Sequence, residues 1–229
     1  MERLRRNCWR LQEREIALDC FASQRDAPPV VLLRGYELDS DWAFYPYLAA
    51  RLAEVRPVWI PVPPSPYSLL GELEQVEILA RAWSQGQIPD APGRAQGAVG
   101  LVGHAKGAAL ALLAAAHGCV QGVVGLASLS TLQRGAAGGR HPELASAPHR
   151  FHMERAVRAL AVPVLLVHGE EDHVAPPAEA ELLYHWLPKE TGRLIMLEKT
   201  GHSFGADHPF TATTKELELA VQVICEFFR

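Results

Sequence analysis

The stretch "GAVGLVGHAKGAALALLAAA", from Gly97 to Ala116, constrains the fold of this chain more than any other part of it. Small and β-branched apolar residues run up to Gly103, a second glycine follows at Gly107, and an alanine-rich helical pattern comes directly after. That order predicts a buried strand, a very tight turn and a helix that folds back on the strand. Glycines belong where two backbones approach too closely for a β-carbon. The residue at the apex of the turn is Ala105, between His104 and Lys106.

The rest of the chain repeats the alternation. Ile16, Leu18 and Cys20 alternate as in an antiparallel edge strand, and the four consecutive apolar residues Val30 to Leu33 make a fully buried strand that ends at Gly35. "VWIPVP", "GVVGLASLS", "PVLLVHG" and "GRLIMLE" read as further strands. Helical spacing appears after a cap-like Asp39-Ser40-Asp41, through Leu48, Leu52 and Val55, and again from about 69 to 83, 154 to 162, 176 to 187 and 214 to 228. Residues 85–96 read as loop. Residues 131–152 begin without a convincing period and form a short excursion above the sheet, too small for a lid domain. Strands alternating with helices predict an α/β fold: a single domain over residues 1–229, built on a doubly wound, mostly parallel sheet of about eight strands. Right-handed crossovers then gather the strand C-termini on one rim, where ligands bind.

Composition narrows the class of function. With 229 residues the chain can bury one continuous core, and 48% apolar with 21% charged residues is ordinary for a globular protein. A net charge of −4 supplies no basic field for nucleic acid. Cys8, Cys20, Cys119 and Cys225 form no C-x-x-C pair. No run reaches the ~18 apolar residues of a membrane span, and "MERLRRNCWR" lacks the apolar segment of a secretory signal. A cytoplasmic location is expected. No glycine-rich phosphate motif or dinucleotide fingerprint occurs, so no cofactor is expected. His149 and His152 have a spacing compatible with metal but no third ligand, and no metal is expected either.

Three loops on the predicted rim carry the chemistry. The first is the turn at Ala105. The second is "LLVHGEEDHVAPP", where a strand runs into Gly169 and three acids before the prolines of the next helix; by themselves such acids are as well explained as helix caps. The third is "EKTGHSFGADHP", which sets His202 just after the last strand. An imidazole that takes a hydroxyl proton needs a carboxylate to orient it and to stabilise its cation. His202 is therefore the candidate general base and acid, with a carboxylate of the 170–172 loop as its partner.

In this order, turn, acid, histidine, the sequence resembles a short, nearly lidless α/β-hydrolase, of the small-esterase and dienelactone-hydrolase-like branch, from about Ile16 to Phe228. In that fold a G-x-S-x-G turn exposes a nucleophilic serine above the sheet, and here the turn reads Gly103-His104-Ala105-Lys106-Gly107. "HGEEDHVAP" resembles the family's H-G-x-x-D-x-x-V-P loop, which assigns the acid to Asp172 rather than Glu170 or Glu171. The resemblance implies that the backbone N–H groups of Tyr36 and Lys106 form the oxyanion hole. It also implies that Tyr36, Arg34 and His104 meet the substrate, a small-molecule acyl ester. Two departures stand out. Arg34-Gly35 replaces the usual His-Gly, and a structural pairing of Arg34 with an acid near the rim is favoured over substrate contact. Ala105 occupies the nucleophile's position, so that as written the chain lacks about 10⁶ of the turnover of an intact triad. The favoured reading is a serine replaced deliberately in a carboxylesterase-like hydrolase; the alternative is a natural, non-catalytic relative that binds a ligand.

Around this site the sequence is aromatic, with Tyr36, Trp42, Phe44, Tyr45, Tyr47 and Tyr67, most of which must be core. Arg134, Arg140, His141, His149, Arg150 and His152 of the excursion are expected near the rim, where they would favour a substrate with a second carboxylate or simply be solvated.

Overall fold

The structure is a computed structural model and describes residues 5–36, 43–88, 97–133 and 141–229. The expected run of apolar segments forms strands β3 (Val30–Leu33), β4 (Val58–Pro61), β5 (Val99–His104), β6 (Val120–Leu126), β7 (Val164–Gly169) and β8 (Gly192–Leu197). The N-terminal segment differs from the expectation of one edge strand. It makes a hairpin of two, β1 (Arg5–Leu11) and β2 (Arg14–Phe21), whose turn places Gln12 and Glu13 at positive φ. The sheet order is β1-β2-β4-β3-β5-β6-β7-β8. β1 and β2 pair antiparallel, β2 joins β4 antiparallel, and every later pairing is parallel.

Period-two alternation divides the core. Val31, Leu33, Leu101, Val123 and Leu166 face one layer, while Val30, Leu32, Val102, Val124, Leu165 and Val167 face the other. The first layer is closed by helices α2 (Leu69–Ser84), α3 (Lys106–Ala115), α5 (Met153–Arg158) and α6 (Pro177–Trp186), and the second by α1 (Tyr45–Ala53) and α7 (Lys215–Phe227). A short α4 (Glu143–Ser146) and a 3-10 turn (Pro148–Phe151) occupy the described part of the excursion. All ten residues of α3 are buried, as a helix apolar on every side requires. α1 starts at Tyr45 with Pro46 in its first turn; the expected cap at Asp39 to Asp41 and the ring of Trp42 lie outside the described residues. Among the described residues no helix is long and apolar enough to cross a membrane.

The tight joint between β5 and α3 depends on two absent side chains. A β-carbon on Gly103 would lie 2.3 Å from the carbonyl carbon and oxygen of Gly107, and one on Gly107 would lie 2.4 Å from the Leu33 carbonyl oxygen and 2.5 Å from that of Arg34. Both partners are backbone and cannot swing away. Gly103→Ala is therefore expected to cost about 2 kcal/mol or more in urea unfolding, through overpacking. A change within about 0.5 kcal/mol, the ordinary range of a neutral surface substitution, would contradict this packing.

Candidate active site

The apex of the turn is strained. Ala105 has φ 51° and ψ −115°, a conformation that a residue with a β-carbon adopts only when its surroundings dictate it. Here they do. The Ala105 N–H donates to the Leu126 carbonyl at 2.9 Å, tying the apex to β6, and the Ala105 carbonyl accepts from Ala108 N–H at 3.1 Å and begins α3. The methyl group is buried, at 5% exposure.

The two loops after β7 and β8 are stitched together by backbone. Glu170 N–H donates to the Leu197 carbonyl at 3.0 Å and Glu171 N–H to the Thr200 carbonyl at 2.9 Å. Gly169 allows this, since a β-carbon there would stand 2.1 Å from the Thr200 oxygen. The stitching turns Glu170 and Glu171 outward and Asp172 inward, where it is 2% exposed. Asp172 Oδ1 accepts from the Val174 and Ala175 amides at 2.9 and 2.8 Å, and Oδ2 accepts from His202 Nδ1 at 2.8 Å. A carboxylate only accepts, so Nδ1 carries the hydrogen and Nε2 is the bare nitrogen of the neutral ring. Burial pushes the Asp172 carboxyl up, but the hydrogen bonds from His202 and the two amides outweigh it and hold the pKa below the ordinary range. His168, fully buried on β7 four residues earlier, lies 3.5 Å from Oδ2 and donates through Nε2 to the Ala175 carbonyl, closing the loop around the carboxylate.

His202 stands beside the turn, its ring centroid 4.6 Å from that of His104, with 14% of its side chain exposed. The acid, the histidine and the apex expected from the sequence thus meet at one corner. Tyr36 and Lys106 meet there as well. The close approach of Gly107 to Leu33 and Arg34 sets the end of β3 against the first turn of α3, and Lys106 Nζ lies 5.6 Å from the Tyr36 ring centroid. Lys106 is the first residue of α3, and backbone N–H groups at a helix start point outward along its axis.

Two expectations are corrected. Arg34 does not face the site. It is 5% exposed and its guanidinium donates to the Pro61 carbonyl at 2.6 Å, tying β3 to the end of β4. His104 does not line the substrate space either. It is fully buried among Phe44, Tyr45 and Phe204, and both ring nitrogens are engaged, with Tyr45 Oη at 3.0 Å and the His202 carbonyl at 3.1 Å. Both orientations are set by backbone geometry, which residue types alone do not reveal.

The excursion is corrected in part. His141 does reach the rim, where its ring stacks on Tyr36 at 6.1 Å and meets Tyr67 edge-on. His149, Arg150 and His152 line a cleft of about 350 Å³ with Leu113, Ala116 and His117, at the far end of α3. That end lies about 15 Å from the turn, from the rise of ten helical residues. Arg134 and Arg140 lie outside the described residues.

A buried ion pair adds to the site. The Lys106 ammonium is wholly buried, 2.6 Å from Glu72 Oε2 on α2 and 3.2 Å from Tyr67 Oη, between the faces of Tyr36 and Tyr67. Removing one partner of such a buried pair typically costs about 3–5 kcal/mol. Burial, aided by the Glu72 carboxylate, raises both tyrosine hydroxyls above their usual pKa, so they stay protonated. The sign in the sequence is a lysine set among alanines and glycines that must be buried, which demands an acid, and Glu72 is the acid on the facing helix.

No family model and no curated protein matches the chain in sequence. Solved structures do match in fold. Est1E from Butyrivibrio proteoclasticus superposes with a TM-score of 0.75 at 15% identity, over 97% of this chain and 96% of that one. The esterase domain of a Rhodothermus marinus protein gives 0.72 at 14% identity, covering 99% and 98%. An alpha-beta serine hydrolase homologue from Coxiella burnetii gives 0.70 at 11% identity, covering 100% and 99%.

Burial, chiefly, and the nearby His202 hold the His104 pKa down at about 3, and burial also lowers that of His168. In the unfolded chain both titrate near 6.5. As pH falls the unfolded chain takes up protons first, so stability is complete above pH 6.5 and is lost below it. His104 alone contributes a loss of about 1.4 kcal/mol per pH unit in that window. Urea unfolding at pH 7.5 and pH 5 is expected to show this loss, and His104→Gln is expected to flatten the slope; an unchanged slope in the variant would contradict a neutral, buried His104. The sheet order, the strained turn after β5 and the whole-chain superpositions lead to one conclusion: this chain has the α/β-hydrolase fold.

Proposed function

We propose that this is the site of a carboxylic-ester hydrolase for small or medium acyl esters, with alanine in the nucleophile's place. The observation that carries the reading is the strained backbone of Ala105 beside the Asp172–His202 pair. A binding pocket needs neither a left-handed alanine nor an oriented imidazole, whereas acyl transfer uses both. The esterases and the serine hydrolase homologue that share the fold support the same class.

With serine at position 105, Oγ would attack the ester carbonyl carbon while His202 Nε2 takes the hydroxyl proton. Asp172 stabilises the imidazolium, and the amides of Tyr36 and Lys106 receive the oxyanion. His202 then returns the proton to the leaving alkoxide, and water, activated by the same imidazole, releases the acid. Thioesters and amides would use the same groups.

As the chain stands, no covalent acyl-enzyme can form, because a methyl group has no lone pair. Ala105 itself favours a second reading, in which the hydrolase pocket holds an ester ligand without cleaving it. Ala105→Ser, assayed with p-nitrophenyl esters of graded chain length, separates the two. The hydrolase reading expects a gain of about 10³-fold or more over the unaltered chain, abolished by adding His202→Ala. No gain on any ester, together with saturable binding of a non-hydrolysable ester analogue, would overturn it in favour of the binding protein.

A further inference from the structure

One run of hydrogen bonds joins the loop after β3, the start of α1, the turn after β5 and the histidine loop. Gly35 N–H donates to Tyr45 Oη at 2.9 Å, Tyr45 Oη lies 3.0 Å from His104 Nδ1, and His104 Nε2 lies 3.1 Å from the His202 carbonyl oxygen. The hydrogens can be placed by chemistry. A carbonyl only accepts, so His104 Nε2 carries a hydrogen and donates to His202. Neutral imidazole then has a bare Nδ1, which accepts the Tyr45 hydroxyl hydrogen, and the Tyr45 oxygen accepts from Gly35. Both side chains are fully buried, and Phe44 and Phe204 wall the His104 ring with centroids at 5.2 and 6.5 Å.

The ends of this run are the two parts of the site that must hold a common register. Gly35 precedes Tyr36, whose amide is the candidate oxyanion donor, and the far end is the backbone of His202 itself. The middle is the residue before the apex. Resting on the ester-hydrolase reading, we propose that Tyr45 and His104 are positioning residues, which fix the oxyanion loop and the catalytic histidine relative to one another through this relay. Neither touches the reacting atoms. Packing alone would not ask for this relay, since an apolar residue would fill the same space between Phe44 and Phe204.

In the Ala105→Ser background, Tyr45→Phe keeps the ring and deletes the oxygen that joins Gly35 to His104. The expected result is about tenfold lower kcat with KM within about twofold, because misplacement of a catalytic group acts on the transition state. His104→Gln, which keeps a donor and an acceptor, is expected to retain more activity than His104→Leu, of similar volume. A second arm needs no turnover: nitrogen-edited NMR of the unaltered chain should find His104 as the Nε2–H tautomer, and Tyr45→Phe should move the His202 ring resonances together with the Gly35 amide. An unchanged kcat in Tyr45→Phe, the opposite His104 tautomer, or unmoved His202 resonances would each overturn the proposal. If Ala105→Ser is inactive in every background, the ester-hydrolase reading falls and the NMR arm decides the relay by itself.

Discussion

Everything at this site follows from a backbone held where an alanine would not rest unaided. A residue at φ 51° and ψ −115° costs on the order of 1–3 kcal/mol and persists only where its neighbours over-determine it. The neighbours are the end of β6, which takes the Ala105 amide at Leu126, and a helix that begins on the Ala105 carbonyl. Two glycines let the helix close on β5 and on the end of β3. In a hydrolase the strain lifts a hydroxyl clear of the sheet. Here the same position carries a buried methyl group.

The other groups are arranged around that point by backbone, not by chance contact. Gly169 brings the acid loop onto the histidine loop, and two amide-to-carbonyl bonds lock the loops together before any side chain is considered. Asp172 is then turned in and its neighbours Glu170 and Glu171 out. Low exposure strengthens each electrostatic contact in the pair. The buried Lys106, neutralised by Glu72 and sandwiched by Tyr36 and Tyr67, ties α2 to the same corner.

Much of the fold was legible because buried parallel strands need uninterrupted apolar runs, and Val30 to Leu33 or Val164 to Val167 read as nothing else. β1 was not, because an edge strand turns one side to water: Trp9 and Leu11 are buried while Cys8 and Arg10 are exposed, and the arginines mask the pattern. In the site, Asp172 and His202 were legible because each follows a strand that ends on the rim. His104 and Arg34 were not, since the direction of a side chain next to a tight turn depends on backbone angles and not on residue type. His104 turned into the core and Arg34 toward a carbonyl of β4. The excursion failed for a related reason. A segment without a period carries no information about which end of a helix it covers, and His149, Arg150 and His152 lie at the far end of α3 from the turn.

On the proposed ester-hydrolase reading, the site lacks one oxygen atom and nothing else. The most direct measurement is the intact mass of the Ala105→Ser protein after exposure to a fluorophosphonate, beside the unaltered chain treated alike. A single covalent adduct in the variant, mapped to position 105, and none in the unaltered chain is the predicted result. A variant that remains unlabelled while folded would show that the acid, the histidine and the turn do not form a working site, and would contradict the account.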